Sequence, residues 1–81
     1  MILVIDVGNT NITYGVYEGA ELVTTFRMSS NMERTSDEYG IDIMAMLHNN
    51  EIDPAKLGGA IIASVVPKVM HALTGAVKRY L

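Results

Sequence analysis

Asp6, Gly8, Asn9, Thr10, Asn11 and Thr13 crowd into eight positions directly after the apolar run Ile2-Leu3-Val4-Ile5. Holding a polyphosphate with its magnesium ion takes a carboxylate that orients the ion or its waters, and donors that reach the phosphate oxygens closely. Asp6 can be the carboxylate, Gly8 lets the backbone approach, Thr10 and Thr13 can donate, and the N–H groups of the turn can form an anion-binding concavity. The same residues also suit an ordinary hairpin, in which Gly8-Asn9 takes positive φ and Asp6 caps the turn.

The elements that must carry this turn are readable from periodicity. Ile2 to Ile5 has the continuous apolar character of a strand covered on both faces. Asn11 to Tyr17 alternates, with Ile12, Tyr14 and Val16 on one side, and after the turn signal Glu18-Gly19 the pattern continues with Leu22, Thr24 and Phe26 against Val23, Thr25 and Arg27. Three antiparallel strands are therefore expected to open the chain. The polar turn is then a hairpin loop, unlike the strand-to-helix glycine loops of other nucleotide sites.

Ser29 to Arg34 reads as a loop, and Thr35-Ser36-Asp37-Glu38 has the spacing of a capping box that starts a helix from about Ser36 to about His48. Its inward stripe is expected to be Tyr39 or Gly40, Ile43, Met44 and Leu47. Asn49-Asn50 ends it, and Asp53-Pro54 begins a turn or a brief helical turn. Ala60 to Val65 reads as a second buried strand. Pro67 fits the first turn of a closing helix that would bury Met70, Leu73, Val77 and Tyr80 or Leu81. The order strand, strand, strand, helix, strand, helix implies an α/β fold with a mixed sheet, short of one strand and of helical cover.

Composition narrows the function classes. The 81 residues allow one small domain, 49% hydrophobic and 19% charged, which argues against disorder. Net charge is −3, and Arg27, Arg34, Lys56, Lys68, Lys78 and Arg79 are scattered, so no basic stripe marks a nucleic-acid partner. The chain has no cysteine, which excludes disulfides and thiolate chemistry. The first apolar run meets Asp6 too soon to be a signal peptide or membrane span, so no membrane partner is expected and a cytoplasmic location is. His48 and His71 share no motif and read as surface or packing residues. The methionines read as core filler, Asp37 and Glu38 as helix capping, and Ser64 lacks a motif-placed base to make it a nucleophile.

Taken together, Asp6-Val7-Gly8-Asn9-Thr10-Asn11-Ile12, Arg34-Thr35 with Asp37-Glu38-Tyr39, and Ser64-Val65-Val66-Pro67 resemble the N-terminal part of type III pantothenate kinase. The resemblance spans essentially the whole chain, with the three signatures in order. It implies the ribonuclease-H-like core of the actin, hexokinase and Hsp70-like ATPase superfamily, here as a partial and truncated domain covering residues 1–81. It also implies ATP-dependent phosphorylation of pantothenate on its primary hydroxyl, the opening reaction of coenzyme A synthesis, with Mg2+, a monovalent cation (K+ or NH4+) and a homodimer.

By that resemblance Asp6 organises Mg2+, through water or phosphate, while Val7, Gly8, Asn9, Thr10, Asn11, Ile12 and Thr13 form the phosphate loop. The strand end at Ser64 to Pro67 shapes the cleft. One departure matters: the family's catalytic Gly-x-Asp-Arg segment, whose aspartate serves as general base, has no counterpart in these residues. No catalytic residue is therefore assigned, and the 81 residues are expected to be inactive alone. A non-catalytic nucleotide-binding or interaction module of the same superfamily is the alternative, and the open sheet edge offers a route to self-association.

Overall fold

Side chains two apart along a strand share a face, and this rule sorts the first three strands into a buried and an open side. The computed structural model describes residues 1–30, 34–64 and 66–81. Strand β1 (Ile2–Val7) buries Leu3, Ile5 and Val7. Strand β2 (Asn11–Glu18) returns antiparallel and sets Val16, Tyr14 and Ile12 opposite those three. Strand β3 (Glu21–Ser29) places Phe26 opposite Tyr14, and their rings stack with centroids 4.7 Å apart. The turn between β2 and β3 is carried by Gly19, whose φ of 61° is the conformation a two-residue hairpin needs at its first loop position.

Strand β4 (Gly59–Ser64) joins β1 in parallel, so the sheet is mixed and runs β3-β2-β1-β4. A parallel partner requires a crossover, which helix α1 (Ser36–Asn49) and a short 3-10 turn (Pro54–Lys56) supply. The Asp53 side chain caps that turn through the Ala55 N–H at 3.0 Å. Helix α2 (Pro67–Tyr80) follows β4 with proline in its first turn, as expected. Tyr39, Ile43 and Leu47 of α1 and Val69, Leu73 and Ala76 of α2 close one core with the buried face of β1 and β2.

Several expectations need correction. Among the described residues strand β1 is covered on one face only, and Ile2 on its other face is 37% exposed. Strand β4 is not a buried strand: it lies at the sheet edge, none of its residues is fully buried, and Ile61 is 60% exposed. Only Ala60, Ile62 and Ser64 share the helix-covered face, so the apolar run records two faces of which one is open among the described residues. The stripe of α2 is Val69, Leu73 and Ala76, with Val77 partly buried, whereas Met70 is exposed. The stripe is rotated by one residue because α2 must meet α1 as well as β4. In α1 the buried set is Tyr39, Gly40, Ile43 and Leu47, with Met44 only partly covered.

The two helices approach closely because glycine stands at both crossing points. A side chain at Gly40 would collide with the Tyr80 ring, and one at Gly75 would meet the Ser36 hydroxyl. Asp37 then ties the ends together, accepting from Arg79 and from the Tyr80 hydroxyl, each at 2.9 Å.

Both ends of α1 are closed by local chemistry. At the start, the Glu38 N–H donates to the Thr35 hydroxyl at 3.1 Å and the Glu38 carboxylate accepts from the Thr35 N–H at 2.9 Å. At the finish, the Glu51 N–H donates to His48 and the Ile52 N–H to Leu47, which is the paired bonding of a Schellman motif. Its left-handed position is occupied by Glu51 at φ 61°, where glycine is the favoured residue. Buried Ile52 completes the motif against Leu47.

A Glu51→Gly substitution should therefore stabilise the fold by about 0.5–1 kcal/mol, raising the melting temperature by a few degrees. Thermal unfolding followed by circular dichroism measures this, and an unchanged or lower midpoint would refute it.

Glu38 yields a pH dependence. The Thr35 backbone and hydroxyl bonds hold its carboxyl below the usual glutamate value, so the native state binds fewer protons there than the unfolded chain. The stability it lends is complete above the ordinary glutamate range and drains away as pH falls through its lowered value. Glu38→Gln, which can keep the bonds without titrating, should lose less stability than the parent between about pH 5 and pH 2. Parallel acid titrations of helicity would test this; identical curves would count against it.

Candidate functional site

Strand register decides where each residue of the Asp6 to Thr13 segment points. Asp6 and Thr13 stand opposite each other on the open face of the sheet, and both are exposed. Val7 and Ile12, the next pair, turn inward and are buried in the core, so only their backbones are available to a ligand. Gly8, Asn9 and Thr10 make the loop, with Asn9, Thr10 and Asn11 exposed. A recess of about 230 Å³ on the open face is lined by Asp6 and Thr13 together with Val4, Gly15, Tyr17 and Thr25.

The loop is not the ordinary hairpin turn that its composition also allowed. Among the described residues, positive φ occurs at Gly19 and Glu51, and neither Gly8 nor Asn9 adopts it. A side chain added at Gly8 would meet nothing nearer than the Asn11 carbonyl at 3.4 Å, an ordinary contact. Neither conformation nor internal packing requires glycine there, so the Gly8 backbone is open to approach from outside.

The loop is held by its own backbone and by β3. The Gly8 N–H donates to the Asn11 carbonyl at 2.9 Å, the Ser30 N–H donates to the Thr10 carbonyl at 3.0 Å, and the Ser30 hydroxyl donates to the Gly8 carbonyl at 2.8 Å. Ser30 had read only as part of a polar loop; its role depends on β3 ending beside the hairpin, which no local pattern announces.

The second strand-to-helix junction lies next door. Val7 pairs with Ser64 and Asp6 with Ala63, so both apolar runs end at the same edge of the sheet. The Ser64 hydroxyl accepts from the Val66 N–H and donates to the Val66 carbonyl, each at 2.9 Å. That engagement makes it a turn former, and among the described residues no histidine or lysine is bonded to it. Helix α2 begins at Pro67 without a side-chain cap, soon after Ser64, which pairs with Val7 at the end of β1. Val65 lies outside the described residues.

The chain matches the family of type III pantothenate kinase over residues 2–81. The chain belongs to that family. Membership brings the classification of a kinase-type phosphotransferase, with the nucleotide and metal use typical of kinases. The mixed α/β fold, with its four-stranded sheet and two helices, is consistent with it.

Within this pantothenate kinase family member the Arg34 to Tyr39 signature builds structure. Thr35 and Glu38 cap α1, Tyr39 is buried, and Arg34 pairs with Asp42 while its guanidinium lies 6.0 Å from the Tyr39 ring centre. Another surface hollow, about 380 Å³, lies over Arg34, Glu38, Ile41 and Asp42, and its Arg34 is paired with Asp42. The hairpin recess is smaller and brings together the Asp6 carboxylate and the Thr13 hydroxyl, which makes it the candidate site. Beneath the sheet, the Tyr14 hydroxyl is buried with no hydrogen-bond partner among the described residues, and burial pushes its pKa upward. It remains a neutral packing group.

Among the described residues no three His, Asp or Glu side chains converge as a metal cage. A single exposed carboxylate suits Mg2+, which keeps waters and takes phosphate oxygens in preference to an all-protein shell. No described helix is long and apolar enough to cross a membrane.

Gly8→Ala should separate fold from approach. It is expected to leave the melting temperature within a few degrees of the parent while weakening binding of Mg-ATP about tenfold or more, because a methyl there would stand between the Gly8 backbone and an approaching phosphate. Calorimetric titration of both proteins checks this, and equal affinities would show that close approach at Gly8 is not used.

Proposed function

We propose that this chain carries the nucleotide-phosphate half of a pantothenate kinase, in which ATP phosphorylates the primary hydroxyl of pantothenate. The observation that carries the reading is the placement of the Asp6–Thr13 hairpin beside the end of β4 and the uncapped start of α2, in a member of this family. Asp6 would orient Mg2+ through its waters or the phosphates. The hairpin amides and the Thr10 and Thr13 hydroxyls would supply donors to the phosphate oxygens. When bound, Mg2+ supplies charge neutralisation on the transferring phosphoryl group.

The β-β-β-α-β-α order with its β3-β2-β1-β4 sheet supports the ribonuclease-H-like assignment within the actin-like ATPases. On this reading the general base, the monovalent-cation ligand (for K+ or NH4+), the adenosine pocket and the homodimer interface belong to segments other than these 81 residues. A cytoplasmic setting follows from the same assignment, where ATP and pantothenate meet. Since phosphoryl transfer depends on positioning the hydroxyl and its base against the phosphate, binding without turnover is the behaviour of this half alone.

Two measurements test the proposal together. Mg-ATP should bind the 81-residue chain in a calorimetric titration, and Asp6→Asn should weaken it about tenfold or more. Incubation with ATP and pantothenate should give no phosphopantothenate above background. Absence of Mg-ATP binding would remove the phosphate-site reading, and robust turnover would overturn the claim that these residues are only half of the machinery.

A further inference from the structure

We propose that Ser30 is a positioning residue for the phosphate-binding hairpin, an inference that rests on the reading of that hairpin given above. Ser30 makes two hydrogen bonds to the loop, one from its hydroxyl to the Gly8 carbonyl at 2.8 Å and one from its N–H to the Thr10 carbonyl at 3.0 Å. Both partners are carbonyl oxygens, and both lie in the segment whose opposite edge must face an anion.

Peptide planarity turns this into a statement about the amides. In a trans peptide the C=O and the following N–H point in opposite directions, and the chain contains no cis bond among the described residues. Fixing the Gly8 carbonyl on Ser30 therefore turns the Asn9 N–H away from Ser30, and fixing the Thr10 carbonyl does the same for the Asn11 N–H. The two partially negative oxygens are thereby drawn to β3, off the side where phosphate would be repelled by them. Donors that are already aimed need no reorganisation when the anion arrives.

The hydroxyl matters separately from the backbone. Ser30 follows directly on β3, so its N–H would still reach Thr10 with any other non-proline side chain, but the bond to Gly8 needs a short donor one carbon from the backbone. Ser30 is half-buried, which limits how well water could replace it. Nothing in the sequence pattern around Ser29 to Arg34 marks this residue, since it contacts the loop only through the pairing of β3 with β2.

The test compares the 81-residue chain with Ser30→Ala, Ser30→Thr and Asp6→Asn, using Mg-ATP as the probe. Ser30→Ala should bind about 3- to 10-fold more weakly, the loss expected for one hydrogen bond, while its helicity and unfolding midpoint stay close to the parent. Ser30→Thr, which keeps the hydroxyl, should recover most of the affinity. In the parent protein, the Asn9 and Asn11 amide resonances should move on adding Mg-ATP, and without nucleotide the Asn9 resonance should differ between the parent and Ser30→Ala. Folded Ser30→Ala binding as tightly as the parent, or parent Asn9 and Asn11 resonances that stay still as Mg-ATP binds, would overturn the role of Ser30 and leave the phosphate site standing. Loss of binding in the parent itself would instead remove the site, and the positioning role with it.

Discussion

Strand β1 is hydrogen-bonded on both sides, antiparallel to β2 and parallel to β4, and the geometry of the candidate site depends on that double pairing. Because Leu3, Ile5 and Val7 are locked into the core, Asp6 is forced to the opposite face by the two-residue period of a strand. A slip of one residue would bury the carboxylate and expose the core. Hydrophobic burial thus sets the direction of a polar group that contributes nothing to it, and Thr13 is placed beside Asp6 by the same rule acting through β2.

Much of this was legible because it is local. The alternation of Ile12, Tyr14 and Val16, the capping box at Thr35 and Glu38, and the proline that opens α2 each depend on residues within a turn or two of one another. Strand β4 was legible but its edge position was not, because an apolar run such as Ala60 to Ala63 looks the same in the middle of a sheet and at its edge; only the strand order tells them apart. The α2 stripe escaped for a related reason. A helix that packs against both a sheet and another helix buries an arc set by its neighbours, and Val69 and Ala76 fall inside that arc where Met70 does not. At the end of α1 the stop at Asn49-Asn50 was legible, but not the Schellman geometry beyond it, since Glu51 fills the left-handed position where glycine would have announced it.

The candidate site shows the same division. Asp6, Gly8 and the threonines were visible as residue types suited to phosphate and magnesium, whereas their exposure, the burial of Val7 and Ile12, and the clamp from Ser30 required the pairing of three strands. The family's other two signatures sort differently once placed. One caps and packs a helix, and the other ends beside the hairpin, so of the three only the first and last meet at one end of the sheet.

That meeting point has a consequence for the order of assembly. The β1–β2–β3 meander joins neighbours in sequence, but the pairing of Val7 with Ser64 closes a loop that takes in most of the chain. Loop closure of that span must be paid for before its contacts return anything, so long-range parallel pairing is the slow step of such topologies. On that ground the Asp6–Thr13 hairpin is expected to form before β4 joins β1, so that Asp6 first stands with only one of its two flanking strands in place.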